Sequence, residues 1–372
     1  MNLVFTCGGT GGHINPAIAV AKMFRERQPD CKILFLGADG MERDLVPREG
    51  FRLETLRVSS FQRKPTPGNL VHNLKTVLVM ADTLRRTRRL LREFGADAVI
   101  GTGGYASFPA LREGARLGIP TVVHESNAIP GLTTRMVADH VDKIMVSFEA
   151  CREAYGKNKD KVIVTGTPVR EEFLYLSKAE ARKKLGWDDT PVVVSCWGSL
   201  GAREMNRKIA DFMARVHADG GFRHIHATGS YGWRWMPDHV REKGVDWEND
   251  PLLDMREYIY DMPTVMAAAD VILCRAGAAT ISEVTASGTP AVIVPSPNVT
   301  GHHQEKNAAV LGDCGAAVVL SEDACTGDTL YETVTALLHD EPRRRQMREQ
   351  LAHLAVVDST ERIYRTVSEL TR

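Results

Sequence analysis

Short apolar runs alternate with helix-like patterns along the whole chain. The run NLVFT at residues 2–6 is rich in apolar and β-branched side chains, which is typical of a buried strand. Twelve further runs of this kind are KILFLG, FRLETL, DAVIGT, TVVHE, KIMVS, KVIVTG, PVVVSCW, FRHIHAT, REYIY, DVILC, PAVIVP and AAVVL. Between them, helical patterns predict helices at residues 16–28, 107–117, 202–216, 280–287 and 304–311. This alternation predicts an α/β fold of parallel sheets covered by helices.

The predicted strands are too many for one open sheet, and no unit repeats eight times as in a barrel. At 372 residues the chain also exceeds the size at which a single core keeps growing. We therefore expect two doubly wound, Rossmann-like domains, residues 1–168 and 169–355. The boundary is expected in GTPVREEFLYLS at residues 166–177, and the last helix, within about 356–372, is expected to pack back on the first domain.

The amino-acid composition limits the kinds of partner that the protein is expected to bind. The 47 Lys and Arg residues balance 47 Asp and Glu residues, so no global charge attracts nucleic acid, and we expect no such partner. The seven cysteines are scattered without a C-x-x-C pair, which indicates reduced thiols in a cytosolic protein. No apolar run approaches the roughly 18 residues needed to span a bilayer, and NLVFT follows no basic leader. We expect a protein that is soluble or rests on a membrane surface.

Glycine-rich turns follow four of the predicted strands, at residues 8–12, 101–104, 198–201 and 277. In parallel α/β sheets ligands bind beyond the carboxyl ends of strands, where backbone N–H groups at helix N-termini bind anions. Two such turns in each half predict two phosphate-binding domains. The dinucleotide fingerprint G-x-G-x-x-G is missing because Ile14 stands at its last position, and Gly37 ends the second strand without an acid. This argues against a nicotinamide or flavin enzyme.

His13 follows the first glycine turn, just before the helix predicted from Pro16. The positive end of a helix dipole favours the neutral imidazole, which can accept a proton from an attacking hydroxyl. From the residues alone, a general base and a simple helix cap are equally good interpretations of His13.

A basic run follows an apolar helical stretch in the first half. Between Arg57 and Arg92 there are nine Lys or Arg residues and one acid, Asp82. The pattern suits either a helix packed on its own domain with a solvated basic face or a helix that binds anionic lipid. The basic run consists of Arg85, Arg86, Arg88, Arg89 and Arg92, and the apolar residues before it are Leu70, Leu74, Val77, Leu78 and Ala81.

A metal site is not expected. His302 and His303 are adjacent, so their side chains diverge on a helix, and no carboxylate motif accompanies them.

Seven motifs occur in one order over nearly the whole chain: GGTGGHINP, GTGGYASFPA, HESN, GTPVR, GSLGA, RAGAATISE and PSPNVTGHHQEKNA. Together they resemble the MurG family, peptidoglycan N-acetylglucosaminyltransferases of the two-domain GT-B fold. The sequence departs from the usual motifs at Trp197, where glycine is frequent, at Ser126, where glutamine is common, and at Thr167, where asparagine is frequent. None of these changes removes a reactive group.

The resemblance implies two Rossmann-like domains with an interdomain cleft, UDP-GlcNAc on the C-terminal domain and a polyprenyl-diphosphate-linked muramyl peptide, lipid I, on the N-terminal one. It implies inverting transfer of GlcNAc to the muramyl 4-hydroxyl, which forms lipid II for peptidoglycan synthesis. No cofactor is then required, and a divalent cation is at most stimulatory. The expected location is the cytoplasmic face of the bacterial plasma membrane, as a peripheral protein at an anionic surface, with a cell-wall synthesis complex as a further partner.

The resemblance also assigns roles to residues, and the choice of general base between His13 and Glu125 stays open. Arg170 would lie by the donor diphosphate, Glu283 would accept hydrogen bonds from the ribose hydroxyls, and Gln304 would bind GlcNAc, with Asn307 a weaker candidate. The acceptor diphosphate is expected at Gly103, Gly104 and Tyr105. The full donor set is Thr10, Gly11, Gly12, Asn127, Arg170, Ser199, Ile259, Ala278, Ala279, Thr280, Ile281, Ser282, Glu283 and Gln304.

Structural alternatives remain for several of these residues. Thr280-x-x-Glu283 is also a capping box, Ser199 suits a helix N-cap, and Asn127 suits a turn. Arg170 suits an ordinary surface position.

Two other functions also remain. A UDP-GlcNAc 2-epimerase would share the architecture and the donor, and a non-catalytic subunit would bind the donor without turnover.

Overall fold

The computed structural model describes residues 1–58 and 67–371, without side-chain detail at residues 67–75, 77, 78 and 300. Two compact units divide the chain: unit 1 is Met1–Val169 with Val356–Arg372, and unit 2 is Arg170–Ala355. The passage from unit 1 into unit 2 lies in the GTPVREEFLYLS stretch.

Unit 1 is built on a parallel sheet of seven described strands in the order β3-β2-β1-β4-β5-β6-β7. Leu3, Val4 and Phe5 of the inner strand β1 are all 0% exposed, because helices cover both faces of the sheet. The strands are β1 (Asn2–Thr6), β2 (Lys32–Gly37), β3 (Arg52–Thr55), β4 (Ala98–Gly101), β5 (Thr121–Glu125), β6 (Lys143–Val146) and β7 (Val162–Val164).

The helices of unit 1 cover both faces of this sheet. They are α1 (Gly11–Arg27), α2 (Glu42–Arg48), α3 (Pro67–Phe94), α4 (Ser107–Arg116) and α5 (Leu132–Val137), with short 3-10 helices at Glu149–Cys151 and Glu153–Lys161.

The final helix of the chain, α15 (Ser359–Leu370), belongs to unit 1 and packs on α1. Its Ile363 and Val367 are 2% and 1% exposed and share a core with Phe24. The ring of Tyr364 lies 4.6 Å from that of Phe24, and its hydroxyl accepts a hydrogen bond from Gln28 Nε2 at 3.0 Å. The C-terminal helix therefore completes one face of the N-terminal unit.

Unit 2 repeats the architecture with six described parallel strands in the order β10-β9-β8-β11-β12-β13. One of its two central strands, β8, has Val192, Val193 and Val194 at 0% exposure. The strands are β8 (Val192–Cys196), β9 (Arg223–Ala227), β10 (Leu253–Arg256), β11 (Val271–Cys274), β12 (Ala291–Ile293) and β13 (Ala317–Val319).

The helices of unit 2 pack on both faces, and one large core lies between β8, α8 and α13 around Phe212 and Tyr331. The helices are α6 (Glu172–Tyr175), α7 (Lys178–Leu185), α8 (Arg203–Asp219), α9 (Met236–Glu242), α10 (Met262–Ala268), α11 (Ala278–Ser287), α12 (His303–Gly312), α13 (Gly327–His339) and α14 (Glu341–Leu354), with a 3-10 helix at Thr300–His302.

The two-sheet α/β fold agrees with the prediction, but several element boundaries do not. The run REYIY at 256–260 was predicted as a strand, whereas β10 ends at Arg256 and the rest forms a loop. Helix α1 begins at Gly11 rather than near Pro16, so it starts inside the first glycine turn. Helix α11 begins at Ala278 rather than Thr280.

Candidate functional site

All four glycine turns lie where the strand order of a sheet reverses. In unit 1 the turns at 8–12 and 101–104 follow β1 and β4, which are neighbours although their chain connections run in opposite directions. In unit 2 the turns at 198–201 and 277 follow β8 and β11, which are related in the same way. Such a switch point opens a crevice at the carboxyl edge of a parallel sheet, the usual place for a ligand. Each unit therefore has one such crevice.

The two glycine turns of unit 1 pack backbone against backbone. A Cβ atom on Gly104 would lie 2.3 Å from the Gly8 carbonyl oxygen, and one on Gly8 would lie 2.6 Å from the Ala106 Cβ. The φ angles of Gly103 and Gly104 are +103° and +77°, which side chains rarely adopt. Glycine is thus required by the contact between the turns, which brings together the two loops that carry the predicted residues Thr10, Gly11, Gly12, Gly103, Gly104 and Tyr105.

His13 lies in the first turn of α1 and contacts the second glycine turn. Its Nδ1 is 3.0 Å from the carbonyl oxygen of Thr102, and the Thr102 hydroxyl donates to the His13 carbonyl oxygen at 2.6 Å. Because a carbonyl oxygen only accepts, Nδ1 carries the hydrogen in this bond. Thr10 is the N-cap residue of α1 and makes no side-chain capping bond. His13 is therefore not the cap of this helix.

Glu125 ends β5 and is only 3% exposed. Its Oε1 accepts hydrogen bonds from the Asn127 backbone N–H at 3.0 Å and from Asn127 Nδ2 at 2.8 Å. Its Oε2 accepts from the Gly131 N–H at 2.7 Å and from the Thr134 hydroxyl at 2.6 Å. The carboxylate thus fixes the loop between β5 and α5, including the predicted donor residue Asn127, which lies in a bend of the backbone.

The residue before Glu125, His124, is fully buried and bonds through Nε2 to the Gly166 carbonyl at 2.8 Å. Burial lowers its pKa, the nearby Glu125 carboxylate raises it, and the His13 imidazole lowers it. The electrostatic influence of both residues places His13 and Glu125 in the same part of unit 1.

The first glycine turn of unit 2 is held by the loop after β9. A Cβ on Gly201 would lie 2.1 Å from the Thr228 carbonyl oxygen, and one on Gly229 would lie 2.1 Å from the Gly201 nitrogen. Ser199 is exposed in this turn, and its carbonyl accepts from the Ser230 N–H at 3.1 Å. Helix α8 begins at Arg203 with Ala202 at its N-cap, so the interpretation of Ser199 as an N-cap is wrong.

Glu283 lies on α11, below the second glycine turn of unit 2. Burial raises its pKa to about 7, and the positive charge of Arg170 opposes this shift. The same carboxylate adds to the effect of burial in raising the pKa of Cys196 at the end of β8. The structure therefore brings Glu283 and Arg170 together at the carboxyl edge. Since α11 begins at Ala278 with Gly277 at its N-cap, the capping-box interpretation of Thr280 and Glu283 is wrong.

Among the other predicted donor residues, Ala278, Ala279 and Thr280 form the first turn of α11, where backbone N–H groups lack helical acceptors. The Ile281 side chain is 0% exposed and its N–H bonds to the Gly277 carbonyl, so its side chain is part of the core. The Ser282 hydroxyl donates to the Ala278 carbonyl at 3.0 Å.

Two further predicted donor residues lie in loops or at helix starts. The Ile259 side chain is 2% exposed. Gln304, in the first turn of α12, accepts the Ser296 N–H at 2.8 Å through Oε1. Asn307 is 1% exposed and donates to the Ala276 carbonyl at 3.0 Å, so it supports this edge from inside.

Across residues 1–58 and 67–371, no cluster of three or more His, Cys, Asp and Glu side chains is arranged to hold a metal ion. In the same part of the chain, no helix has the length and apolarity required to cross a membrane.

Some of the arginines of helix α3 form ion pairs with acidic residues of unit 1. Arg88 donates to Glu113 at 2.6 Å, Arg86 lies 3.7 Å from Glu54, and Arg89 lies 3.7 Å from Glu93. Among the side chains of α3 that the structure describes, Thr76, Thr83, Thr87 and Leu91 are buried, whereas Ala81 is exposed. The predicted apolar residues Leu70, Leu74, Val77 and Leu78 lie outside the described side chains.

The sequence analysis did not identify two residues that lie close to the candidate sites, Thr102 and Arg275. Thr102 stands between two glycines, and its position directly after a strand was the one sign of its importance. Arg275 lies 2.6 Å from the Glu322 carboxylate and donates to the Val294 carbonyl at 3.0 Å, which ties together loops at the carboxyl edge of unit 2. Its guanidinium lies 5.8 Å from the ring of Trp197, which is 4% exposed and belongs to the core of unit 2 just before the turn at residues 198–201.

Comparison with known proteins identifies two family models. The glycosyltransferase family 28 N-terminal domain matches residues 3–146, and the family 28 C-terminal domain matches residues 192–363. The chain is also 41% identical to the UDP-N-acetylglucosamine–N-acetylmuramyl-(pentapeptide) pyrophosphoryl-undecaprenol N-acetylglucosamine transferase of Acetivibrio thermocellus. That alignment covers 100% of this chain and 99% of the relative.

Solved structures show the same fold. The crystal structure of Acinetobacter baumannii MurG has a TM-score of 0.77 at 24% identity, covering 99% of both chains. A UDP-GlcNAc 2-epimerase from Neisseria meningitidis has a TM-score of 0.65 at 13% identity, covering 99% of this chain and 100% of that one. The fold alone is therefore common to transferases and epimerases, and the sequence relatives distinguish between them.

Proposed function

Because the chain belongs to glycosyltransferase family 28, and within it to the MurG group of N-acetylglucosamine transferases, we propose that it converts lipid I to lipid II. The muramyl 4-hydroxyl oxygen of the lipid-linked acceptor forms a bond to C1 of GlcNAc. The bond from C1 to the diphosphate breaks, and UDP leaves with the electron pair. Attack from the face opposite the α-linked UDP inverts C1 and gives a β-1,4 linkage.

The contact between His13 and Thr102 is the observation that supports His13 as the general base of this transfer. Since Nδ1 donates its hydrogen to the Thr102 carbonyl, the basic nitrogen of the neutral ring is Nε2. We assign to Nε2 the removal of the proton from the acceptor hydroxyl as the new bond forms. The neighbouring turn at Gly103 and Gly104 offers backbone N–H groups to the acceptor diphosphate.

Glu125 is the competing candidate for the base, and its bonds favour a different role. Its two oxygens already accept four hydrogen bonds from Asn127, Gly131 and Thr134. A proton taken by this carboxylate would weaken bonds that hold the loop. We therefore assign Glu125 to positioning Asn127 beside the donor sugar.

Unit 2 supplies the groups for the donor. Glu283 would accept the ribose hydroxyls, and Arg170, Ser199 and the first turn of α11 would bind the diphosphate. Ile259 would contact uracil through its backbone, and Gln304 would donate to a GlcNAc hydroxyl. Positive charge from Arg170 and from the helix N-terminus stabilises the leaving UDP, as preorganised donors do in a transition state. The proposal accordingly requires no metal, and a divalent cation would be at most stimulatory.

We propose that α3 brings the protein to the cytoplasmic face of the plasma membrane, as a peripheral protein. Arg85 and Arg92 are exposed, and no ion pair involves them within the described part of the chain. Ala81, one of the predicted apolar residues, is also exposed, although Leu91 near the end of α3 lies in the core of unit 1. Anionic lipid attracts such charges by about 1 kcal/mol each. A cell-wall synthesis complex would be a further partner at this surface, and nucleic acid would not.

The decisive experiment measures UDP release from UDP-GlcNAc with and without a lipid I analogue. We expect release only with the acceptor, together with a β-linked disaccharide product. Formation of UDP-ManNAc from the donor alone would indicate an epimerase. Donor binding without turnover under either condition would indicate a binding subunit.

A further inference from the structure

Thr102 and His13 are joined by two hydrogen bonds that run in opposite directions. The Thr102 hydroxyl donates to the His13 carbonyl oxygen at 2.6 Å, and the Thr102 carbonyl accepts the Nδ1–H of His13 at 3.0 Å. Thr102 is 3% exposed, so water competes little for either bond. One residue therefore holds both the backbone and the ring of His13.

The backbone of Thr102 is itself fixed by the sheet. Its N–H donates to the Thr6 carbonyl at 3.0 Å, which continues the pairing of β4 with β1. The next residue, Gly103, turns away with a φ of +103°, and a Cβ there would lie 2.7 Å from His13 Nδ1. The imidazole thus packs directly on the turn that is expected to bind the acceptor diphosphate.

Any residue at position 102 would offer a carbonyl, but a hydroxyl that reaches the His13 carbonyl requires threonine or serine. We propose that Thr102 is a positioning residue for the transfer: its hydroxyl holds the start of α1 against the second glycine turn and so keeps the His13 ring in its reactive orientation. This inference rests on the proposed role of His13 as general base. It makes the acceptor-binding turn and the base one connected structure.

The test compares Thr102→Val, which keeps the shape and removes the hydroxyl, with Thr102→Ser, which keeps the hydroxyl. We expect kcat of Thr102→Val to fall about tenfold, since small misplacements of a reacting group are costly. The dissociation constant for UDP-GlcNAc should stay within twofold, because the groups proposed to bind the ribose, the uracil and the donor diphosphate lie in unit 2. Thr102→Ser should restore most of kcat. In a His13→Ala background, Thr102→Val should cause no further loss.

The outcomes separate this inference from the function it rests on. If Thr102→Val keeps kcat within twofold of the parent while His13→Ala loses activity, the positioning role of Thr102 is wrong and the role of His13 as general base is retained. A loss in Thr102→Val that serine does not restore, or that persists in the His13→Ala background, also overturns the positioning role. A kcat of His13→Ala close to that of the parent would overturn both the general-base role of His13 and the positioning role of Thr102.

Discussion

A methyl group on Gly103 would lie 2.7 Å from Nδ1 of His13. Gly103→Ala should therefore displace the imidazole and lower kcat by about 10² or more, because a reacting group moves out of line. Gly118→Ala is the matched control: Gly118 has a φ of +70°, but its Cβ would meet no atom within 4 Å. It should cost about 1 kcal/mol of stability and leave kcat unchanged. Equal kinetic effects in both variants would show that backbone strain alone is responsible.

His13→Ala should lower kcat by roughly 10²–10⁴, the usual range for loss of a general base. The dissociation constant for UDP-GlcNAc and the melting temperature should stay near the parent values. His140, an exposed histidine of the same unit, gives the control variant His140→Ala, which should keep full activity. Calorimetric donor binding and single-turnover kinetics measure the two effects separately. A kcat close to that of the parent would return His13 to a purely structural role.

Glu125→Gln should lower the melting temperature as well as activity. The substitution turns an NH2 group toward two N–H or O–H donors, and each donor left without a partner costs about 1–3 kcal/mol. Thermal unfolding, followed alongside kcat, distinguishes this from catalysis. A large loss of kcat at an unchanged melting temperature would instead identify Glu125 as the base.

Glu283→Ala should raise the KM for UDP-GlcNAc strongly, because the ribose hydroxyls lose their acceptor.

A second readout for Glu283 is the pH dependence of stability. The pKa of Glu283 is raised from 4.5 to about 7 by burial, so ionisation in the unfolded chain favours unfolding. The penalty is absent below pH 4.5, grows as pH rises toward 7 and is complete above it. Glu283→Gln should therefore be more stable than the parent at pH 8 and no more stable at pH 4. A parallel pH dependence of both proteins would contradict the raised pKa of this carboxyl.

Acid should destabilise unit 2 through a buried cluster of Ser195, His224 and His226. The Ser195 hydroxyl lies 2.8 Å from His224 Nε2 and 2.7 Å from His226 Nδ1, and both rings are 0% exposed. Burial lowers the pKa of His224 well below its ordinary value and that of His226 to about 3. The electrostatic effect of His226 adds to burial in lowering the pKa of His224, so the folded protein disfavours a proton on this pair of rings.

Because unfolded histidines bind protons near pH 6.5, this contribution is intact above that pH and is lost as pH falls below it. Two histidines give a slope of up to about 2.7 kcal/mol per pH unit. Urea unfolding at several pH values between 7 and 4.5 measures it. The double variant His224→Gln/His226→Gln should show a flatter dependence, and an unchanged slope would assign the acid sensitivity to other groups.

Vesicle binding should depend on Arg85 and Arg92 more than on Arg88. Arg85→Gln/Arg92→Gln should weaken cosedimentation with vesicles containing anionic phosphatidylglycerol, and added salt should weaken that of the parent. Arg88→Gln should mainly lower the melting temperature, because Glu113, at 0% exposure, loses its closest partner. Activity on a short-chain soluble acceptor should survive in the first variant. Vesicle binding that changes neither with the arginine substitutions nor with added salt would contradict an electrostatic attraction to the membrane.

The sequence predicted the positions of the candidate site better than its bonds. Glycine turns directly after apolar strands predicted both crevices, because the carboxyl ends of parallel strands share one edge. The bond between His13 and Thr102 joins residues 89 positions apart and involves a backbone carbonyl, which any residue possesses. No local pattern could predict it.

Some predicted element boundaries were wrong for a related reason. Glycine has low helix propensity, so the start of α1 at Gly11 gave no signal. The apparent capping box at Thr280 and Glu283 was a true local pattern, but α11 starts two residues earlier, where the backbone leaves β11. Tertiary position decided the boundary in both cases.

The position of α15 has a consequence for synthesis of the protein. Ile363 and Val367 cover the face of unit 1 around Phe24, yet they are made after all of unit 2. At the ordinary elongation rate of about 5–20 residues per second, the nascent N-terminal unit waits on the order of ten to forty seconds for its last helix. During that time its apolar face is open to water, so a chaperone that binds apolar surface would act on this chain during translation and release it at termination.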